Sequence, residues 1–142
     1  MCILEETNIQ WRNLMSYYFD KQVDLSFDEA IEKVTSALAD EGFGVLTEID
    51  VKATLKKKID VDFRPYMILG ACNPAFAHKA LLAEPQIGTM LPCNVIVQVT
   101  DEGKVLVSAV DPMASMMAVG NEELGAIAGE VREKLKGVIE GL

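Results

Sequence analysis

Two Cys-Asn pairs, Cys72-Asn73 and Cys93-Asn94, bracket the only histidine of the chain, His78. Thiolate and imidazole suit zinc or copper(I), so Cys72, Cys93 and His78 form a candidate metal set. The same residues permit thiol chemistry. Cys72 directly precedes a predicted helix start, where partial positive charge favours the thiolate, and His78 is the available base for a Cys-His pair. The bland alternative is that both cysteines are small buried hydrophobes, common for free cysteine. Their spacing, with a single histidine, matches no recognised metal motif. Asn73 and Asn94 are candidate ligand contacts, and each can also cap exposed backbone.

Further candidates lie outside this stretch. Arg64, in DFRPY, has a planar fork suited to a carboxylate or phosphate. It stands beside Lys52, Lys56, Lys57 and Lys58, a basic cluster that either binds an anionic ligand or an acidic partner or is a solvated helix face. Met113, Met116 and Met117 fall at i, i+3, i+4, which gives either a thioether face for copper(I) or adaptable packing. There is no G-x-G-x-x-G, P-loop, H-E-x-x-H or G-x-S-x-G, and the carboxylates are scattered.

Bulk properties narrow the classes. The chain has 142 residues, half of them apolar, and a net charge of −9. That length fits one domain with a real core. The negative charge argues against a nucleic-acid surface, which needs a basic face. MCILEETNIQ lacks the basic and apolar regions of a secretory signal, and no apolar run reaches a membrane span. With three cysteines and no disulfide framework, a cytoplasmic setting is expected.

The elements that must position these residues follow from period and punctuation. SYYFDKQVD (16–24) reads as a strand, with Tyr17, Phe19 and Val23 on one face. Ser26 and Glu29 make a capping box for a helix whose stripe is Phe27, Ala30, Ile31, Val34 and Leu38, ended by Gly42. FGVLTEI (43–49) is a second strand, DVKATLKKKI (50–59) a short helix capped by Asp50, and a third strand starts after Pro65. Asn73-Pro74 opens a helix that Pro85 stops. Residues 93–100 and 104–111 are strands joined at Asp101-Glu102-Gly103. Asp111-Pro112 opens a short helix. Asn121 caps the last helix, with Leu124, Ile127, Ala128, Val131, Leu135, Val138 and Ile139 as its stripe.

This order predicts an α+β fold, a mostly antiparallel sheet packed by two long helices on one face. If the third and fourth strands are neighbours, Cys72 and Cys93 meet at one sheet edge. Cys93, Val95, Val97 and Val99 should face the helices. Ile96, Leu106 and Val110, joined by Tyr18 and Leu46, fall on the opposite face. An apolar face of that kind predicts a homodimer or another partner over it. Residues 1–15, with Trp11, Leu14 and Met15 at helical spacing after Ile3 and Leu4, read as an arm or short helix ahead of the domain at 16–142.

GFGVLTEIDVKATLKKKIDVDFRPYMILGACNP (42–74), MLPCNVIV (90–97) and VSAVDPMASMMAVGNEEL (107–124) resemble the family known as domain of unknown function 302, over residues 16–142. The resemblance implies a small, often dimeric domain with a TATA-binding-protein-like arrangement and no established activity. It carries no licence for DNA binding. The reading that results is a dimeric intracellular binding or accessory module rather than an enzyme. Its partner is a small ligand, a soft metal or a protein, and its site is at the two Cys-Asn motifs. A thiol-dependent redox protein or enzyme using Cys72 is one alternative. A purely structural protein using the open sheet face is the other.

Overall fold

A computed structural model of the chain describes residues 16–142. The arm expected at 1–15, including Cys2, lies outside the described residues. Five strands and five helices follow in the order β1 (Tyr18–Val23), α1 (Phe27–Asp40), β2 (Gly44–Asp50), α2 (Val51–Ile59), β3 (Tyr66–Cys72), α3 (Pro74–Ala83), β4 (Cys93–Val99), β5 (Val105–Val110), α4 (Pro112–Met116) and α5 (Glu122–Glu140). Short 3₁₀ turns at Pro85–Met90 and Met117–Val119 complete the chain. The sheet order is β1-β5-β4-β3-β2, every pair antiparallel.

Local chemistry places the helix ends. Ser26 and Glu29 form the reciprocal capping box of α1. Asp50, Asn73, Asp111 and Asn121 each accept a backbone N–H at the start of a helix. Gly42, at φ 86°, takes the left-handed turn after α1 that a side chain would disfavour. Pro85 ends α3 by opening a 3₁₀ turn. Tyr17 falls outside β1 and is exposed, so the inward face of that strand is Phe19 and Val23.

The helices cover one sheet face. Leu69, Val95, Val97 and Val107 are fully buried there against Val34 and Leu38 of α1 and Leu135 of α5. A second cluster forms where Ala80 of α3 meets Ile87 and Leu124, with Leu91, Met116 and Ile127 around it. Asp111 and Arg132 tie the end of β5 to α5. The guanidinium donates to the buried carboxylate over 3.1 Å and lies 5.1 Å from the Phe19 ring. The hydrogen bond to Asp111 strengthens the guanidinium's hold on its proton.

On the opposite face the sheet makes close demands. Gly70 pairs with Thr47 on one side and Asn94 on the other. A Cβ there would strike Thr47 Oγ1 and come within 2.7 Å of Pro92 Cγ. Next to this contact β2 changes register between Val45 and Thr47, a bulge that leaves Leu46 exposed.

Two unfolding measurements check this packing. Leu135→Ala should lower stability by about 3 kcal/mol in urea, as a large core truncation does. Gly70→Ala should cost about 1–3 kcal/mol through overpacking, and Thr47→Ala in the same chain should return part of it.

Candidate functional site

The β3–β4 register sets the site. Ala71 stands opposite Cys93, and Leu69 opposite Val95. Residues directly opposed share a face, so Cys93 points with Ala71 toward the helices. Cys72 ends β3 and passes directly into Asn73, the N-cap of α3. Both cysteines are free, half-buried and line one cavity. Its volume is about 40 Å³, room for more than one water but not for a large cofactor.

The walls of this cavity are almost wholly apolar. Phe43, Phe76, Pro92 and Val131 contribute bulk, while Ala71, Ala77, Ala80 and Ala128 are small. It lies along the seam between the two packed clusters: Phe43, Phe76 and Cys93 belong to the main core, and Ala80, Leu91 and Ile127 to the second. Asn73 stands among the lining residues. Its Oδ1 accepts the Phe76 N–H at 3.5 Å and its Nδ2 donates to the Glu41 carbonyl at 3.5 Å.

The two thiols differ in environment. Burial pushes the Cys93 thiol up to about 11, and proximity to Cys72 adds to the effect. Cys93 is therefore a protonated, weakly nucleophilic group at neutral pH. Its role in the cavity wall is that of a compact polarizable surface.

The remaining sequence-predicted residues are dispersed. His78 is exposed on α3 and is not among the cavity-lining residues. The sequence places it beside an apolar stripe with Leu81 and Leu82, but these two are also exposed, at 42% and 73%. The inward side of α3 is instead Phe76, Ala77 and Ala80. Among the described residues, no three His, Cys, Asp or Glu side chains are gathered so as to hold a metal ion. The pair Cys72 and Cys93 thus meets without His78.

Asn94 follows Cys93 in an extended strand, so its side chain goes to the other face. It lines a separate groove on the open side of the sheet with Ile96 and Ser108. Arg64 lies before the start of β3, whereas Cys72 is at its end, and the strand between them alone spans about 20 Å. Its Nε and Nη2 donate to Gln98 Oε1 at 3.0 and 2.9 Å, and it lies over the Phe63 ring at 4.5 Å. Asp60 and Asp62, the acids nearest to it in sequence, pair with Lys56. Met116 reaches the cavity, while Met113 and Met117 are exposed. Sequence reasoning missed Phe43, Phe76 and Ala128 as cavity residues. The inward alanines of α3 and α5 were the available signal, and their packing role concealed it.

Comparison with known proteins adds a family. Residues 19–142 match the family described as "Domain of unknown function DUF302". A crystal structure of an uncharacterized conserved DUF302 protein from Bacillus stearothermophilus superposes with a TM-score of 0.82 at 28% identity. The match covers 88% of this chain and 97% of that one. No curated protein matches. Among the described residues, no helix is long and apolar enough to cross a membrane.

The shifted thiol gives a pH test. The folded value of about 11 lies above the unfolded value near 9, so the fold favours the protonated form. Stability is intact below about pH 9 and declines as pH rises through 11, by no more than about 3 kcal/mol from this group. Urea unfolding of the chain and of Cys93→Ala across pH 8 to 11 should show a steeper alkaline decline in the unaltered chain. Parallel curves would contradict the assignment.

Proposed function

The chain belongs to the DUF302 family, and from that premise we propose that it is a binding module whose ligand seat is the cavity between Cys72, Cys93 and Phe76. One observation carries this reading. Four alanines line a single half-open apolar pocket at the seam of two clusters, where close packing would ordinarily leave little space. A leucine or valine at any of them would close the space. The ligand suited to such a wall is small and apolar, or is the apolar end of a larger molecule, held by dispersion against aromatic rings and sulfur. Asn73 supplies the polar contact among the lining residues.

Binding fits the lining residues better than catalysis. They include no carboxylate, imidazole or amine, so a reaction would lack a general acid or base within reach. Thiol chemistry on Cys72 is the second reading, favoured by its place at the start of α3 and by the neighbouring Cys93 thiol. The proposed setting is cytoplasmic, where both thiols stay reduced. A homodimer belongs to the same proposal. Ile96, Leu106 and Val110 are half-buried on the open face, and a second copy there would remove them from water.

Two-dimensional NMR against a panel of small apolar and amphipathic molecules tests the seat. Binders should shift the amides of Cys72, Asn73, Phe76 and Ala128, and Ala128→Phe should abolish those shifts while the remaining spectrum stays folded. Shifts confined to other surfaces, or unchanged in Ala128→Phe, would exclude the cavity as the seat. Alkylation of Cys72 at neutral pH at a rate above that of a free thiol would favour the second reading, and a rate below it would remove that reading.

A further inference from the structure

Arg64 takes no part in the cavity, yet its guanidinium is held in place. Gln98 Oε1 accepts from both Nε and Nη2, at 3.0 and 2.9 Å. The Phe63 and Tyr66 rings lie 4.5 and 5.6 Å from it. The two bonds to one oxygen occupy the side edge of the planar fork. A guanidinium has five N–H donors, so the end edge of Nη1 and Nη2 keeps two parallel donors for another partner. Among the described residues no carboxylate pairs with this group, although the chain carries 22 acidic residues. Arg132, the other described arginine, pairs with both Asp111 and Glu133. A half-buried fork with an open edge is the form of arginine suited to a carboxylate.

Gln98 joins this group to the groove on the open sheet face, whose volume is about 460 Å³. Gln98 and Tyr66 stand opposite each other on β4 and β3, and both line the groove. A guanidinium only donates, so Gln98 turns its carbonyl oxygen to Arg64 and keeps its Nε2 hydrogens as further donors. From Gln98 the floor continues through Ile96 and Leu106. Ser108, opposite Ile96, is only 7% exposed although it faces away from the helices, so the floor is recessed. The volume falls in the range of small-molecule sites, about 300–1,000 Å³. Asp20 is the only charged residue lining the groove, about 12 Å from Gln98 across the sheet.

We propose that this end of the groove binds a monocarboxylate with an apolar body. The carboxylate takes the open edge of Arg64 as a bidentate pair, and the body lies on Tyr66, Ile96 and Leu106. Charge selects the class. One guanidinium neutralises one carboxylate, whereas a phosphate dianion would bring a second negative charge to a chain of net charge −9. Asp20 opposes any further anionic group at the far end of the ligand. This seat differs from the cavity in place and in chemistry, since it lies on the other face of the sheet and its anchor is a cation. The second copy proposed above would cover the same floor, so ligand and copy exclude one another there. Failure of this inference leaves both the cavity and the second copy standing.

Phenylacetate is the probe, with phenylacetamide as its neutral counterpart and inorganic phosphate as the competing anion. In two-dimensional NMR of the full chain at neutral pH, phenylacetate should shift the Arg64 Nε–H and the amides of Tyr66, Ile96 and Gln98 in a saturable way. Phenylacetamide should bind at least about tenfold more weakly, the scale of hydrogen bonds to a charged group. Arg64→Gln should cost phenylacetate the same factor and leave phenylacetamide unaffected, while Ala128→Phe should change neither. Should Arg64→Gln unfold, the Arg64 Nε–H shift and the difference between the two probes in the unaltered chain decide the same point. Equal affinity for the two probes overturns the proposal, as does phenylacetate binding that survives Arg64→Gln. Shifts confined to Cys72, Phe76 and Ala128, or no saturable shift up to about 10 mM phenylacetate, overturn it too. Phosphate binding at Arg64 more tightly than phenylacetate overturns the choice of a carboxylate.

Discussion

Alternation along β4 governs this molecule. Successive side chains of a strand go to opposite faces, and here the two faces have different fates. Val95 and Val97 are fully buried under α1 and α5, while Ile96 and Gln98 line an open groove. The same rule divides a Cys-Asn pair: Cys93 enters the cavity under the helices and Asn94 enters the groove. A register slip of one residue would exchange the two sets and bring the valines to solvent, so the buried face fixes the pairing strongly. The two potential sites therefore lie back to back across one sheet, each defined by what the other lacks.

The cavity follows from a second constraint, the joining of two packed clusters. The main core is built on the sheet, and the smaller one on α3, the Pro85–Met90 turn and the start of α5. Chain continuity at Cys72-Asn73-Pro74 links them, because the end of β3 becomes the cap of α3 with no loop between. Alanines on the inward sides of α3 and α5 let these helices approach without filling the corner. Sulfur and aromatic groups remain as its walls. Nothing comparable happens at Arg64, which is held at the far end of β3 by Gln98 and the Phe63 ring.

Much of the frame was legible in the sequence because its signals are local. Ser26, Asp50, Asn73 and Asn121 cap helices by hydrogen bonds within three residues, and Gly42 marks a left-handed turn. The valine face of β4 was readable from period two, and the meeting of Cys72 with Cys93 followed from placing β3 beside β4. What was not legible depends on contacts between distant residues. His78 lies one position from Ala77, yet a helix turns about 100° per residue, so the alanine lines the cavity and the histidine is exposed. Leu81 and Leu82 misled because apolar type alone does not fix which face is covered. The bulge at Leu46, the Thr47 and Pro92 contacts over Gly70, and the link from Asp111 to Arg132 required the assembled sheet.

The central claim is that the space between Cys72, Cys93 and Phe76 receives a ligand, and xenon is the most direct probe of it. Small apolar voids in proteins take up this atom without polar assistance. Diffraction from crystals held under xenon should show one strong site in contact with Phe76, Cys93 and Ala128, absent in Ala128→Phe. Xenon found only on the open face, or none beside those residues, would contradict the account and leave the seam as tight packing.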